Sequence, residues 1–202
     1  MSEALKLREL DEVVRREVSQ LQDLLTRHGV AFEGWGEGAT KTIRDLAIEL
    51  IYGETELQEV ESKTGKQLVR QASIVTAHVF FKSPETGATL RLTEERQEFN
   101  NGQTRTRPHM TESLAEKMKK HESPDKVLVR ALDEELGIDI DHGQFEFHNC
   151  ATITSPSQSY PGLYNQLTNH VFNAYLSPEQ FNPDGYVEVQ PDKTTCFRWE
   201  EL

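Results

Sequence analysis

Apolar positions between residues 3 and 28 recur at helical spacing. Leu7, Leu10, Val14, Leu21 and Leu24 are separated by charged residues, and Glu17 interrupts the seam. The stretch predicts a long helix packed on its own domain. A coiled-coil homodimer through the N-terminal helices is the alternative, but it wants three or four clean heptads. Gly29 is placed to end the helix, because glycine tolerates positive φ just past a last turn. Thr40 is placed to cap a second helix running to about Tyr52, with Ile43, Leu46, Ala47, Leu50 and Ile51 on one face and Gly53 as its stop. Residues 1–53 therefore read as a helical extension, a hairpin ahead of a domain at 54–202.

From Glu54 the period shortens. Leu57 to Glu61 alternates, Gly65 marks a turn, and Val69 to Phe81 is rich in β-branched and aromatic residues, as a largely buried strand requires. Pro84–Gly87 reads as a turn, Thr89–Phe99 as a strand, and Asn101-Gly102 as a hairpin leading to a return strand at Thr104–Arg107. Residues 123–136 carry the clearest helix signal. Ser123 is an N-cap, Pro124 fits the first helical position, Asp125 suits the dipole, and Gly137 is placed to terminate it. Strands follow at Gln144–Ile153 and Asn169–Tyr175, separated by a Ser/Pro/Tyr/Gly-rich loop at 154–168. Cys196–Leu202 suits a final strand or short helix. The order of elements predicts an α+β fold with a mixed sheet covered by helices.

Composition narrows the function. Across 202 residues, 22 Lys and Arg stand against 34 Asp and Glu, a net charge of −12, which argues against bulk nucleic-acid binding. One nucleotide needs only a local cation or a metal. No apolar run approaches the roughly 18 residues of a membrane helix, and the N-terminus lacks the apolar core of a secretory signal. Two cysteines, Cys150 and Cys196, are too few for a disulfide scaffold. They suggest buried thiols in a reducing, cytoplasmic setting, with one bridge left open. No His pair has zinc-helix spacing and no Gly-x-Ser-x-Gly elbow occurs.

The informative segment runs from Glu122 to Ile138, with Arg130, Leu132, Glu134, Glu135 and Gly137 inside it. It resembles the box of the Nudix family, in which a glutamate precedes an arginine by eight positions. The arginine is followed by glutamate, aliphatic, any residue, two glutamates, any residue, glycine and aliphatic. Two departures are plain. Ala131 stands where the first glutamate after the arginine belongs, and Ala115-Glu116-Lys117 replaces a glycine pair. Trp35-Gly36-Glu37-Gly38 and Tyr160-Pro161-Gly162-Leu163 are similar to segments of less standard Nudix-like proteins, plant ones among them.

The resemblance implies a Nudix-type α/β/α sandwich over about residues 70–202, Mg²⁺ or Mn²⁺, and hydrolysis of a small diphosphate-linked compound. The metal candidates are Glu135, Glu134, Glu122 and Glu116, and the catalytic candidates are Glu135, Glu134 and Arg130. Residues four apart share a helix face, so positions 131 and 135 would pair, and Ala131 leaves only Glu135. Asp133 points about 160° away and cannot substitute. Arg130 and Glu134 form a natural i,i+4 ion pair, and Glu122 is expected to reach Arg130 or the metal. The general base would then come from Glu116 or a later carboxylate such as Glu188. Lys117, Lys119 and Arg107 are the candidate phosphate-binding residues, and Tyr160 and Tyr164 the candidate pocket rings. The alternative is a Nudix-fold binding module without catalysis, for which Ala131 and the missing glycines speak.

Overall fold

The computed structural model describes residues 3–62, 65–107 and 112–202, with the backbone alone for 3–8 and Ser62. Leu7 of the expected helix stripe therefore lies outside the described side chains. The elements are helices α1 (Glu3–Arg27) and α2 (Ile43–Ile51), strands β1 (Glu56–Ser62), β2 (Gly65–Lys82), β3 (Thr89–Phe99), β4 (Thr104–Arg105) and β5 (Leu114–Lys117), helix α3 (Pro124–Leu136), and strands β6 (Phe145–Pro156), β7 (Tyr164–Tyr175), β8 (Tyr186–Val189) and β9 (Lys193–Glu201). The sheet follows the order β6-β7-β2-β3-β9-β8, with β1 and β5 also on β2 and β4 on β3. The pairings of β1, β3 and β5 with β2, of β4 and β9 with β3, and of β8 with β9 are antiparallel. Strand β7 runs parallel to β2: Thr76 donates to Asn169 and the Leu176 N–H to the Phe80 carbonyl, so both numbers rise together. The sheet is mixed and the fold is α+β.

The chain divides into two compact units. One comprises the chain up to Ser73 with Lys119–His121 and Thr152–Thr168. The other comprises Ile74–Met118, Glu122–Ala151 and Asn169–Leu202.

The core of the first unit takes Val14, Leu21 and Leu25 from α1, Leu46 and Ala47 from α2, Leu68 from β2, and Tyr160 and Leu163 from the loop before β7. The apolar stripe of α1 is thus spent inside its own unit, while Leu10 and Val13 stay exposed. Helix α2 starts later than its spacing suggested. Thr42, not Thr40, caps it: its hydroxyl accepts from the Asp45 N–H at 3.1 Å, and its own N–H donates to the Asp45 carboxylate at 2.7 Å. Thr40 closes the glycine loop instead, accepting from Gly36 N–H and donating to the Glu37 carbonyl.

The Trp-Gly-x-Gly and Tyr-Pro-Gly-Leu segments dock on each other here. The Trp35 indole N–H donates to the Pro161 carbonyl at 3.1 Å, and its ring lies 5.1 Å from that of Tyr160. Below them Glu49 is buried with two cations: Arg70 donates to it through Nε and Nη2 at 3.2 and 2.6 Å, and Lys41 at 2.7 Å. Arg70 also lies over the Tyr160 ring, 5.5 Å from its centroid.

In the second unit, α3 lays Val127, Leu128, Ala131, Leu132 and Leu136 against Val75, Ala77 and Val79 of β2, Leu92 of β3 and Phe197 of β9. Ser123 occupies the N-cap as expected, though its side chain makes no cap hydrogen bond. Gly137 ends the helix in the left-handed region at φ 67°, with Gly137 and Ile138 N–H groups donating back to Asp133 and Leu132. Gly185 has a different reason to be glycine. A Cβ there would sit 2.0 Å from the Phe197 carbonyl oxygen, so any side chain would push β8 off β9.

Several expectations are corrected. The loop at 154–168 shrinks to residues 157–163, because β6 and β7 both extend into it. Strand β9 begins at Lys193 and is strand throughout, and β5 and β8 lie where no strand was expected. Cys150 is exposed rather than buried, since β6 is exposed along nearly its whole length, and both cysteines are free thiols.

Removing the Glu49 carboxylate would strand the buried Arg70 charge. Glu49→Ala is expected to lose about 3–5 kcal/mol of unfolding free energy, the cost typical of breaking a buried pair from one side. Urea unfolding measures this, and a loss below about 1 kcal/mol would show the pair to be dispensable.

Candidate functional site

Burial of one face of α3 decides what the other presents. Arg130 leaves the helix on the partly exposed side and gathers three carboxylates from three places. It donates through Nη1 to Glu116 of β5 at 2.7 Å, through Nη2 to Glu122 ahead of the helix at 3.2 Å, and through Nη1 to Glu134 one turn on at 3.4 Å. Nη2 also donates to the Lys117 carbonyl at 3.2 Å. Burial opposes this guanidinium's charge, but the carboxylates, Glu116 foremost, hold its pKa above the usual arginine value. Both expected partners of Arg130 are therefore present, and Glu116 joins them.

Glu116 arrives there by a route the sequence did not suggest. Where the resemblance places a glycine pair, this chain has a strand. Ala115 and Glu116 pair with Thr76 and Val75 of β2, and the register delivers Glu116 to α3.

Glu135 is half-buried, and its pKa is pushed up to about 8. Burial is the main cause, followed by the like charges of Glu188 on β8 and Glu116; Lys193 partly offsets them, and Glu134 adds to the rise. Glu188, a candidate base by sequence, is thus brought to Glu135, where it accepts a hydrogen bond from Gln190. Ala131 is fully buried in the core.

Arg107 is close enough to Glu135 to feel its charge, and Glu94 holds its pKa up. Glu94 accepts from Arg107 Nε at 2.8 Å and from its Nη2, and from Gln97 Nε2 at 2.9 Å. Gln97 accepts from Arg105 Nε and Nη2 at 3.1 and 2.5 Å. Residues three apart on a strand ordinarily face opposite ways. The register shift between Glu94 and Arg96, against β9, puts Glu94 and Gln97 on one face. No turn or composition signal marks that bulge, and for this reason sequence reasoning missed Glu94 and Gln97.

The second unit therefore brings together Glu116, Lys117, Glu122, Arg130, Glu134, Glu135, Glu188 and Arg107. The other candidates, Lys119, Tyr160 and Tyr164, belong to the first unit. Tyr160 is fully buried there, so it is a packing residue and not an open pocket ring. Tyr164 is exposed on β7.

The donor chemistry around Glu135 suits a hard divalent cation, which takes carboxylate oxygens. The arrangement is not a closed cage. Among the described residues no group of three or more His, Cys, Asp or Glu side chains converges on one point, and Arg130 holds Glu116, Glu122 and Glu134.

The chain matches no family model and no curated protein. Among solved structures it is similar to a MutT/nudix family protein from Enterococcus faecalis, with a TM-score of 0.44 and 16% identity over 78% of this chain and 51% of that one. It is also similar to the NUDIX domain of Shewanella oneidensis NrtR complexed with ADP ribose, at 0.39 and 14% over 65% and 73%. A third is a C. elegans Ap4A hydrolase, at 0.33 and 14% over 64% and 79%. The chain spans about half the length of the Enterococcus protein. The chemistry is read from this chain's own side chains.

Two outcomes follow from this geometry. A carboxyl whose folded pKa is raised favours the folded state while protonated. The contribution is complete below its unfolded value near 4.5 and is lost as pH rises through about 8. In chelator, Glu135→Gln is therefore expected to raise the melting temperature at pH 8.5 relative to wild type and to change it little at pH 5. Ala131→Glu forces a carboxylate into the core. It should cost on the order of 2 kcal/mol or more in urea unfolding, and a neutral result would show that position 131 opens outward.

Proposed function

We propose that this chain is a Nudix-like hydrolase that acts on a small diphosphate-linked compound, such as a nucleoside diphosphate derivative, with Mg²⁺ or Mn²⁺. One observation carries the reading. Glu135 is half-buried with Glu116, Glu134 and Glu188 around it, a concentration of like charge that a divalent cation relieves. Glu135 would hold the metal, with Glu116 and Glu134 as further oxygen donors. When bound, the metal polarises a phosphate oxygen and lowers the pKa of a water.

The protein's own groups do the rest. Arg130 fixes Glu116 and Glu134 at the rim and shares them with the site, while Glu122 keeps Arg130 in place. Glu188 takes the proton of the attacking water, the role for which Ala131 offers no carboxylate. Arg107 lies beside the centre to receive phosphate charge.

A binding module without catalysis is the second reading, favoured by the burial of Ala131 and by the strand at Leu114–Lys117. A panel of nucleoside diphosphate-linked compounds and isoprenyl diphosphates, assayed with Mg²⁺ and with Mn²⁺, separates the two. The hydrolase reading expects metal-dependent product release that falls at least 100-fold in Glu135→Gln and Glu188→Gln. Absence of turnover on the whole panel by folded wild type would favour the module.

A further inference from the structure

We infer that Arg105 and Arg107 form a phosphate-receiving fork, built on the buried pair Glu94 and Gln97, that binds a diphosphate group directly and without a metal. This deepens the reading above by naming the groups that recognise the anion, and it rests on that reading only for where the diphosphate comes from.

A guanidinium has five N–H donors in a planar arrangement. Arg107 spends its Nε edge on the Glu94 carboxylate, through Nε and Nη2. Arg105 spends the same edge on the Gln97 amide oxygen, again through Nε and Nη2. In both, Nη1 has no acceptor among the described residues. Each arginine is thus held from one side by an acceptor and keeps its other side for a ligand, the arrangement that suits bidentate phosphate contacts.

The acceptors are fixed. The Glu94 side chain is 3% exposed and Gln97 is 2% exposed, and the Gln97 amide donates to Glu94, locking the two to each other. The arginines differ from their anchors in exposure, since Arg105 is exposed and Arg107 partly so. Arg105 also lies over the Phe99 ring at 5.5 Å, which restrains its swing.

Charge selects the ligand class. Glu94 neutralises one guanidinium, but Gln97 is neutral, so the fork keeps a net positive charge within a chain of net charge −12. It lies beside Glu135, whose charge Arg107 feels. A carboxylate ligand would satisfy one guanidinium. A diphosphate has enough acceptor oxygens for two.

The test is pyrophosphate binding by calorimetry in EDTA, at low salt, with ADP as a second ligand to separate the free anion from a nucleoside-linked one. Wild type should bind pyrophosphate saturably. Arg105→Ala should weaken binding at least tenfold, and Arg105→Lys should recover only part of it because an ammonium lacks the fork. Arg198→Ala, an exposed arginine of β9 outside the cluster, should bind as wild type does. Arg107→Ala leaves Glu94 buried and unpaired and can unfold the protein, so Arg107→Ala with Glu94→Gln is the informative form, and it should also lose at least tenfold. No saturable binding by wild type, or equal binding by Arg105→Ala, would overturn the inference. Hydrolysis is not read in this assay. A chain that binds pyrophosphate in EDTA but never turns over retains the fork and loses the hydrolase, and the reverse result does the opposite.

Discussion

The packing of α3 onto the sheet is the constraint from which the site follows. Val127, Leu128, Ala131, Leu132 and Leu136 are all buried, and they fix the rotation of the helix about its axis. Once that rotation is set, Arg130 and Glu134 fall on the outer side and Glu135 at the boundary. Each buried aliphatic side chain contributes roughly 1.5–3 kcal/mol. The polar arrangement does not have to hold the helix and is free to be strained electrostatically. The raised pKa of Glu135 is that strain, supported by apolar burial a turn away.

Around this helix the two signs of charge are sorted by anchor type. Arg130 is one cation serving three carboxylates, Glu116, Glu122 and Glu134. On β3 the ratio reverses, and two arginines lean on one carboxylate and one amide. The proposed cation site thus lies beside the proposed phosphate fork. That juxtaposition suits a substrate that is itself a metal-bound diphosphate. The first unit contains a different kind of charge cluster. Glu49 and Arg70 are buried, with Tyr160 against Arg70 and the exposed Lys41 at the edge, and this cluster ties α2 to β2.

Most of what was legible in the sequence was periodic or capped. The long α1, the helix from Pro124 with its Gly137 stop, and the strand through Val75 and Val79 each announce themselves by spacing. So does the Arg130–Glu134 pair, because i,i+4 geometry is local. What was not legible depended on register. Glu116 reaches Arg130 because β5 pairs with β2, and Ala115-Glu116-Lys117 has no strand signature of its own. Glu94 and Gln97 share a face only because of a bulge against β9. From its place in the loop Tyr160 suits a pocket ring or packing of the loop onto the body equally, and the indole of Trp35, far off in sequence, makes it core. Long-range pairing set each of these, and a local pattern does not record it.

The central claim is that Glu135 and the carboxylates around it form a divalent-cation site. Mn²⁺ binding, followed by electron paramagnetic resonance on the intact chain near neutral pH, tests it without requiring a substrate. The account predicts one saturable Mn²⁺ site that Mg²⁺ competes for and that Glu135→Gln removes while the fold stays intact. Saturable Mn²⁺ binding that survives Glu135→Gln unchanged, or none in wild type at millimolar metal, would contradict it.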